Sequence, residues 1–329
     1  MVKLGLSVLI GSDKSSDVKS GTSGSLIVGL YAPRSNACLW RILLIMDWLA
    51  FTTFSVISRS IYGVYSKVLS SKLKTSVYSQ AFLLLVSGGL LSLLISPLVG
   101  GLNFNLSNAS LIAITLMILG QGLGNTVYFQ AIKNLTNGTA QIAFSSILVF
   151  NTILSLLFLN LHLSLINSAG LILLMLAILS VANGQVELNK KGISMMVLSA
   201  FFFSVFQLTS ANLSKHISAA AYLSIAYFGG ALVIFLAKSK PIIKDLTSSK
   251  KATFTIPLLT AVPSLGNFVF AYYAYRNAPQ PAKVAMLLTS QVVLTVFLSY
   301  FLLKEKNHLW RKTGAAVLVL VAAVLIKQT

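Results

Sequence analysis

Apolar stretches of about twenty residues recur along most of this chain, separated by short polar or charged segments. That is the length a helix needs to cross the ~30 Å hydrocarbon core of a bilayer at about 1.5 Å per residue. Transmembrane β-strands would alternate in polarity over about ten residues, whereas these stretches are uniformly apolar. The expected fold class is an all-α membrane protein with ten transmembrane helices, near 48–70, 78–99, 109–130, 139–161, 164–184, 193–213, 218–237, 253–275, 283–303 and 310–327. Composition agrees: 56% of the 329 residues are hydrophobic and 9% charged, against about 25% charged in soluble domains. So few charges cannot cover a soluble surface of this size. A soluble enzyme and a disordered or fibrous chain are both excluded.

Residues 1–46 read differently, as a basic Ser/Gly-rich tail. Its apolar runs Leu4–Ile10 and Leu26–Tyr31 are too short to span. No clear small-residue cleavage site follows the first run, against a secretory signal. Asp13 and Asp17 weaken an organellar transit reading. The expectation is a disordered tail, or a segment upstream of a start at Met46.

The rest is duplicated. Gly88-Gly89 meets Gly229-Gly230 at an offset of 141, Leu123-Gly124-Asn125 meets Leu265-Gly266-Asn267 at 142, and Ser155 and Gly170 meet Ser299 and Gly314 at 144. Val64-Tyr65-Ser66 with Leu69-Ser70 likewise meets Leu208-Thr209-Ser210 with Leu213-Ser214 at 144. The units are 47–187 and 188–329, each with five spans. An odd number of spans makes the second unit enter the membrane inverted, a plan of secondary transporters whose substrate site lies at the repeat interface near mid-membrane. The glycine pairs read as close-packing points, with a hinge as the alternative.

Two five-helix repeats over 47–327 resemble the EamA type within the drug/metabolite transporter superfamily. The similar pieces are Tyr62-Gly63-Val64-Tyr65-Ser66-Lys67, the turns Ala131-Ile132-Lys133-Asn134 and Ala274-Tyr275-Arg276-Asn277, and Leu302-Leu303-Lys304-Glu305 followed by Gly314. The chain departs from the family in two ways: it has no Pro in the fourth and ninth spans, and Asn160-Leu161 stands where repeat one usually has its Glu, so Glu305 has no twin. The resemblance implies transport of small metabolites, often export of amino acids or related compounds, with no enzymatic activity and no cofactor. The expected location is the plasma (inner) membrane.

The six acids, Asp13, Asp17, Asp47, Glu187, Asp245 and Glu305, all fall outside mid-span positions, and His162, His216 and His308 sit at span ends or in loops. Proton-coupled carriers commonly use a buried acid or His as relay, so uniport or exchange is expected rather than carboxylate-based proton antiport. No His/Asp/Glu cluster suits a catalytic metal, and the single Cys38 excludes an internal disulfide. Two cations lie within the first span, Arg59 and Lys67. Lys67, near the helix end, reads as snorkelling to the headgroups. Arg59 reads as facing a cavity, where it would attract a carboxylate or phosphate.

Uncharged polar residues form stripes at helical spacing: Gln121, Asn125 and Tyr128; Ser145, Asn151 and Ser155; Ser204, Gln207 and Ser214; Ser264 and Asn267; Gln291, Thr295 and Ser299. In a bilayer such groups serve either as interhelical hydrogen bonds or as the lining of a wet cavity. Asn125 and Asn267 are repeat equivalents, which favours a site on the pseudo-two-fold axis. The expected substrate contacts are Arg59, Gln121, Asn125, Asn151, Gln207, Asn267, Gln291 and Thr295, with no catalytic and no metal residues. The almost purely aliphatic spans five and ten read as lipid-facing or homodimer-contact helices.

The net charge of +19 would suggest nucleic acid in a soluble protein, but 23 of the 25 cations lie in loops or the tail. There they meet anionic headgroups, so the expected partners are the lipid bilayer and a small-molecule substrate, with no nucleic acid. Loops after odd-numbered spans hold 14 Lys/Arg against four in the even loops and C-terminus. The positive-inside rule then puts the odd loops in the cytoplasm, whereas the family resemblance implies cytoplasmic termini. Two other functions stay open: a non-transporting receptor or assembly module on the same scaffold, and an organophosphate or nucleotide-sugar exchanger, which would need several cavity cations.

Overall fold

The structure is a computed structural model. It describes residues 47–104, 108–159, 164–182, 190–213, 216–248, 252–278, 284, 287–306 and 308–327. The 1–46 tail, His162, Glu187, Ser214 and the side chain of Ser155 lie outside the described residues.

The described chain is helical: α1 (Trp48–Lys72), α2 (Val77–Leu94), α3 (Asn108–Asn134), α4 (Asn137–Phe144), α5 (Ile147–Leu159), α6 (Leu165–Ala182), α7 (Lys190–Leu213), α8 (Ala219–Thr247), α9 (Ala252–Asn277), α10 (Gln291–Leu302) and α11 (Leu309–Lys327). Six of these, α2, α3, α7, α8, α9 and α11, are long and apolar enough to cross a bilayer. α6 and α10 are apolar but shorter. Helix α1 has the length, but Arg59, Lys67 and its serines dilute its hydropathy. Large apolar side chains stand outward on these helices, Leu94 and Leu236 each 74% exposed and Phe301 69%. That surface is stable only against lipid or protein.

The repeats interdigitate. Helix α1 packs on α9 and α3 on α7, one pair being the other with the repeats exchanged. Helices α2 and α6 pack on their own counterparts, α8 and α11. The hydrogen bonds follow the same exchange. Ser55 Oγ donates to the Asn267 carbonyl oxygen at 3.1 Å, and Ser199, its equivalent, donates to the Gly124 carbonyl oxygen at 2.9 Å. The glycine pairs are packing points: a Cβ at Gly88 would lie 2.4 Å from the Tyr227 ring, and one at Gly229 2.4 Å from Ile118. Helices α6 and α11 share their own core of Leu174, Ala177, Ala316, Val319 and Ala323. Their outer faces carry Ile172, Met175 and Val321 exposed.

The fourth and ninth spans are not the continuous helices expected. The fourth breaks at Ser145-Ser146, between α4 and α5, and the ninth at Thr289-Ser290, just before α10. Both breaks use the same tightened bonds, from each N–H to the carbonyl three residues back. Ser146 N to Ala143 O, Leu148 N to Ser145 O and Val149 N to Ser146 O in the first recur as Ser290 N to Leu287 O, Val292 N to Thr289 O and Val293 N to Ser290 O. No proline is needed. The Ser145 and Ser290 hydroxyls donate to the Ile142 and Leu287 carbonyls, competing with backbone N–H groups and bending the helix.

Partly buried charges tie the helix ends together on the face that carries the odd loops. Lys67 Nζ donates to the Ile132 and Leu135 carbonyls at 2.8 and 2.6 Å, at the C-terminus of α3. It therefore caps a helix rather than snorkelling, in the orientation the helix dipole favours. Lys67→Met is expected to lower stability by about 1.5–3 kcal/mol, read as a lower unfolding temperature in detergent, with Lys67→Arg showing a smaller loss. Helix α8 kinks at Lys238, three residues before Pro241. The redirected turns bring Asp245 to the start of α2, where it accepts from Ser76 N at 2.8 Å and Ser79 Oγ at 2.6 Å. Glu305 does the same for α4, accepting from Asn137 N at 2.7 Å and Gly138 N at 3.3 Å. Each acid comes from repeat two and caps a helix of repeat one.

Candidate functional site

Three neighbouring lobes of open space, of about 500, 560 and 400 Å³, lie between the repeats and share Arg59 and Gln207 as lining residues. The first runs past Ser210, Tyr222 and Tyr272, residues near the end of α7, the start of α8 and the end of α9, and so toward the face opposite the odd loops. The second runs past Gln121, Asn125, Tyr128 and Gln141. The third reaches both helix breaks, touching Ser145 and Ile147 of one and Thr289 and Gln291 of the other. The breaks widen the interface: each removes a turn of regular helix where the fourth and ninth spans approach α1.

Arg59 is placed by this convergence. Its guanidinium carbon lies 5.4 Å from the centroid of the Phe144 ring, a cation–π arrangement. Among the described residues no acid pairs with it; the ion pair there is Lys312 with Glu305. It is half-buried and faces all three lobes. An unpaired charge in such a place carries a desolvation penalty that an anionic ligand would relieve.

The amides that border the space are held by hydrogen bonds within and between helices. Asn151 Nδ2 donates to Gln207 Oε1 at 2.9 Å. Asn267 Oδ1 accepts from Ser55 Oγ at 2.9 Å. Asn125 Nδ2 donates to the Gln121 carbonyl at 2.8 Å, and its Oδ1 accepts from the Tyr62 hydroxyl at 3.4 Å. Hydrogen bonds between helices thus hold Asn151, Gln207 and Asn267 where they border the lobes.

Of the eight expected contact residues, Arg59, Gln121, Asn125, Asn151, Gln207, Asn267 and Gln291 line the lobes. Thr295 does not: its Cγ2 packs beside Gly63, 3.3 Å from where a Cβ would stand. Gln291 and Thr295 share a helix face, but the lobe ends near Val292 and α10 then closes on α1. Sequence reasoning missed the aromatic wall. Phe144, Phe203, Phe206 and Phe268 run in series, with ring centroids 5.5, 6.2 and 5.5 Å apart, and Tyr62 and Tyr275 also border the space. One signal is present: Tyr62 and Phe206 are equivalents at offset 144, an aromatic pair on α1 beside Arg59 and on α7 beside Gln207. Phe203 is the equivalent of Arg59 at the same offset. The site is therefore charged on one side of its axis and aromatic on the other.

A family description, EamA-like transporter family, matches the chain twice, over residues 46–183 and 190–327. The chain belongs to the EamA-like transporter family. It is an integral, multi-pass membrane protein built as an inverted repeat of two EamA units. Membership makes it a membrane transporter of the drug/metabolite transporter superfamily, working in a lipid bilayer on a small-molecule substrate. No curated protein matches its sequence. A solved crystal structure of a protein 11% identical superposes with a TM-score of 0.59, over 84% of this chain and 94% of that one. At that identity the likeness shows the fold alone.

Proposed function

We propose that this EamA-like chain is a secondary carrier with ten transmembrane helices that moves small metabolites, amino acids or related compounds, by alternating access, with export as its direction and the plasma membrane as its site. One observation carries the reading: the three lobes share Arg59 and Gln207 between the repeats, and the third of them reaches both helix breaks. An inverted-repeat carrier puts its substrate near mid-membrane among discontinuous helices. Asp245 and Glu305 are engaged at helix N-termini on the odd-loop face, and among the described residues the lining offers Arg59 as its charged group. That composition supports uniport or exchange over carboxylate-based proton coupling, and disfavours a phosphate-ester exchanger, which needs several cations. The outer faces of α6 and α11 are free to meet lipid or a second copy of the chain.

Counterflow in proteoliposomes with a broad metabolite panel tests the proposal; no movement of any solute sinks it. Asn125→Leu combined with Asn267→Leu is expected to cut transport at least tenfold while the purified protein stays monodisperse, because each amide supplies hydrogen bonds of about 1 kcal/mol or more to the site. A non-transporting scaffold would keep its function in that variant.

A further inference from the structure

The lining also selects among small metabolites, by charge and by shape. Arg59 is the charged residue of all three lobes. Asp245 and Glu305 are engaged at helix N-termini on the odd-loop face, and neither borders the lobes. One negative charge is therefore balanced by the lining. Among the described residues that line the lobes, a second negative charge would meet no further cation, and an ammonium would meet no carboxylate and would lie within a few ångströms of the guanidinium.

The remainder of the wall is a set of flat surfaces with hydrogen-bond acceptors at its edges. The series Phe144, Phe203, Phe206 and Phe268 presents ring edges and faces to the first and second lobes. Aromatic pairs gain about 0.5–1.5 kcal/mol beyond their buried area, so such a wall prefers a ring to an aliphatic chain of equal size. Gln121 borders the second lobe and Gln291 the third, and the Oε1 of each is buried without a hydrogen-bond partner among the described residues. A buried acceptor left unmet carries a penalty that a ligand O–H or N–H removes.

We propose that the substrate is a singly charged aromatic carboxylate carrying a neutral hydroxyl or N–H donor, its carboxylate on Arg59, its ring along the phenylalanine wall and its donor on a glutamine oxygen. The proposal rests on the carrier reading above and narrows it. Free amino acids, with a second and positive charge, and phosphate monoesters, with two negative charges, are the poorer ligands.

The test compares matched solutes on the wild-type protein in proteoliposomes: hydroxyphenylpropionate, tyrosine (the same skeleton with an ammonium), phenyl phosphate and cyclohexanecarboxylate. Hydroxyphenylpropionate is expected to exchange with a half-saturating concentration at least tenfold below the other three. Arg59→Gln is expected to raise that concentration about tenfold to a hundredfold, the loss of a charge-assisted hydrogen bond, with Arg59→Lys between the two. Ligand-induced thermal stabilisation of the detergent-solubilised wild-type protein gives the same ranking without any variant. If tyrosine or phenyl phosphate is exchanged as well as hydroxyphenylpropionate, the substrate class is wrong and the carrier reading survives. If no solute in a broad panel moves, the carrier reading itself has failed.

Discussion

Glu305→Ala should reduce the unfolding free energy by about 3–5 kcal/mol, the cost of leaving a buried charge without its partner. The Lys312 side chain is 4% exposed, and the Glu305 carboxylate, 3.7 Å away, is the acid that faces it. The same carboxylate holds the first two N–H groups of α4. Removing it orphans a cation and uncaps a helix in one step. The stem of Lys312 lies on Gly138, its Cδ 3.2 Å from where a Cβ would stand, so the ammonium cannot swing out without opening that packing. Glu305→Gln keeps an acceptor for the helix and loses the charge, and its cost should fall between wild type and Ala. Glu305→Ala with Lys312→Met should recover part of the loss, because the orphaned cation is gone. Thermal unfolding of the purified protein in detergent measures all of these. A Glu305→Ala protein as stable as wild type would mean that water already solvates this corner.

Gly120→Leu should leave little folded protein. A Cβ at Gly120 would stand 2.8 Å from the Phe202 carbonyl oxygen and 3.0 Å from the Phe206 nitrogen. These are backbone atoms of α7, so no side-chain rotation relieves the clash. Even Gly120→Ala should cost about 1–3 kcal/mol, the range for an overpacked interior, because α3 and α7 must move apart along a whole interface. The contrast is Gly314 in α11, where a Cβ would meet nothing within 4 Å. There Gly314→Ala should be neutral or should stabilise by up to about 1 kcal/mol through helix propensity alone. Yield of monodisperse protein and unfolding temperature separate the two positions. Equal tolerance at both would argue against the tight α3–α7 approach.

The sequence carried the helical class, the duplication and most of the polar lining, because each leaves a periodic trace in residue type. Asn125 and Asn267 could be paired by their common offset before any helix was placed. The breaks at Ser145-Ser146 and Thr289-Ser290 were equally present as an offset of 144. They are hard to read from sequence because neither contains proline, and a hydroxyl pair in an apolar span looks the same whether it bonds a neighbouring helix or its own backbone. The role of Lys67 is hidden for a related reason. Its place near a helix end suits a headgroup contact, and nothing local announces that the carbonyl ends of α3 lie within its reach. The phenylalanine wall was invisible because in a membrane chain the residues that face lipid and those that face an apolar ligand share one composition; only packing tells Phe206, 2% exposed, from Phe301. Thr295 fails from the opposite side: its stripe is real, but the space ends one turn before it.

The short helix α4 has a consequence for how the chain is made. All eight of its residues are buried, and the elements that bury and cap it include α10, α11 and Glu305, which leave the ribosome long after it does. During synthesis this segment is too short to settle across the membrane alone, and its cap does not yet exist. The first half of the protein is therefore expected to reach its final packing only once the last helices have been made.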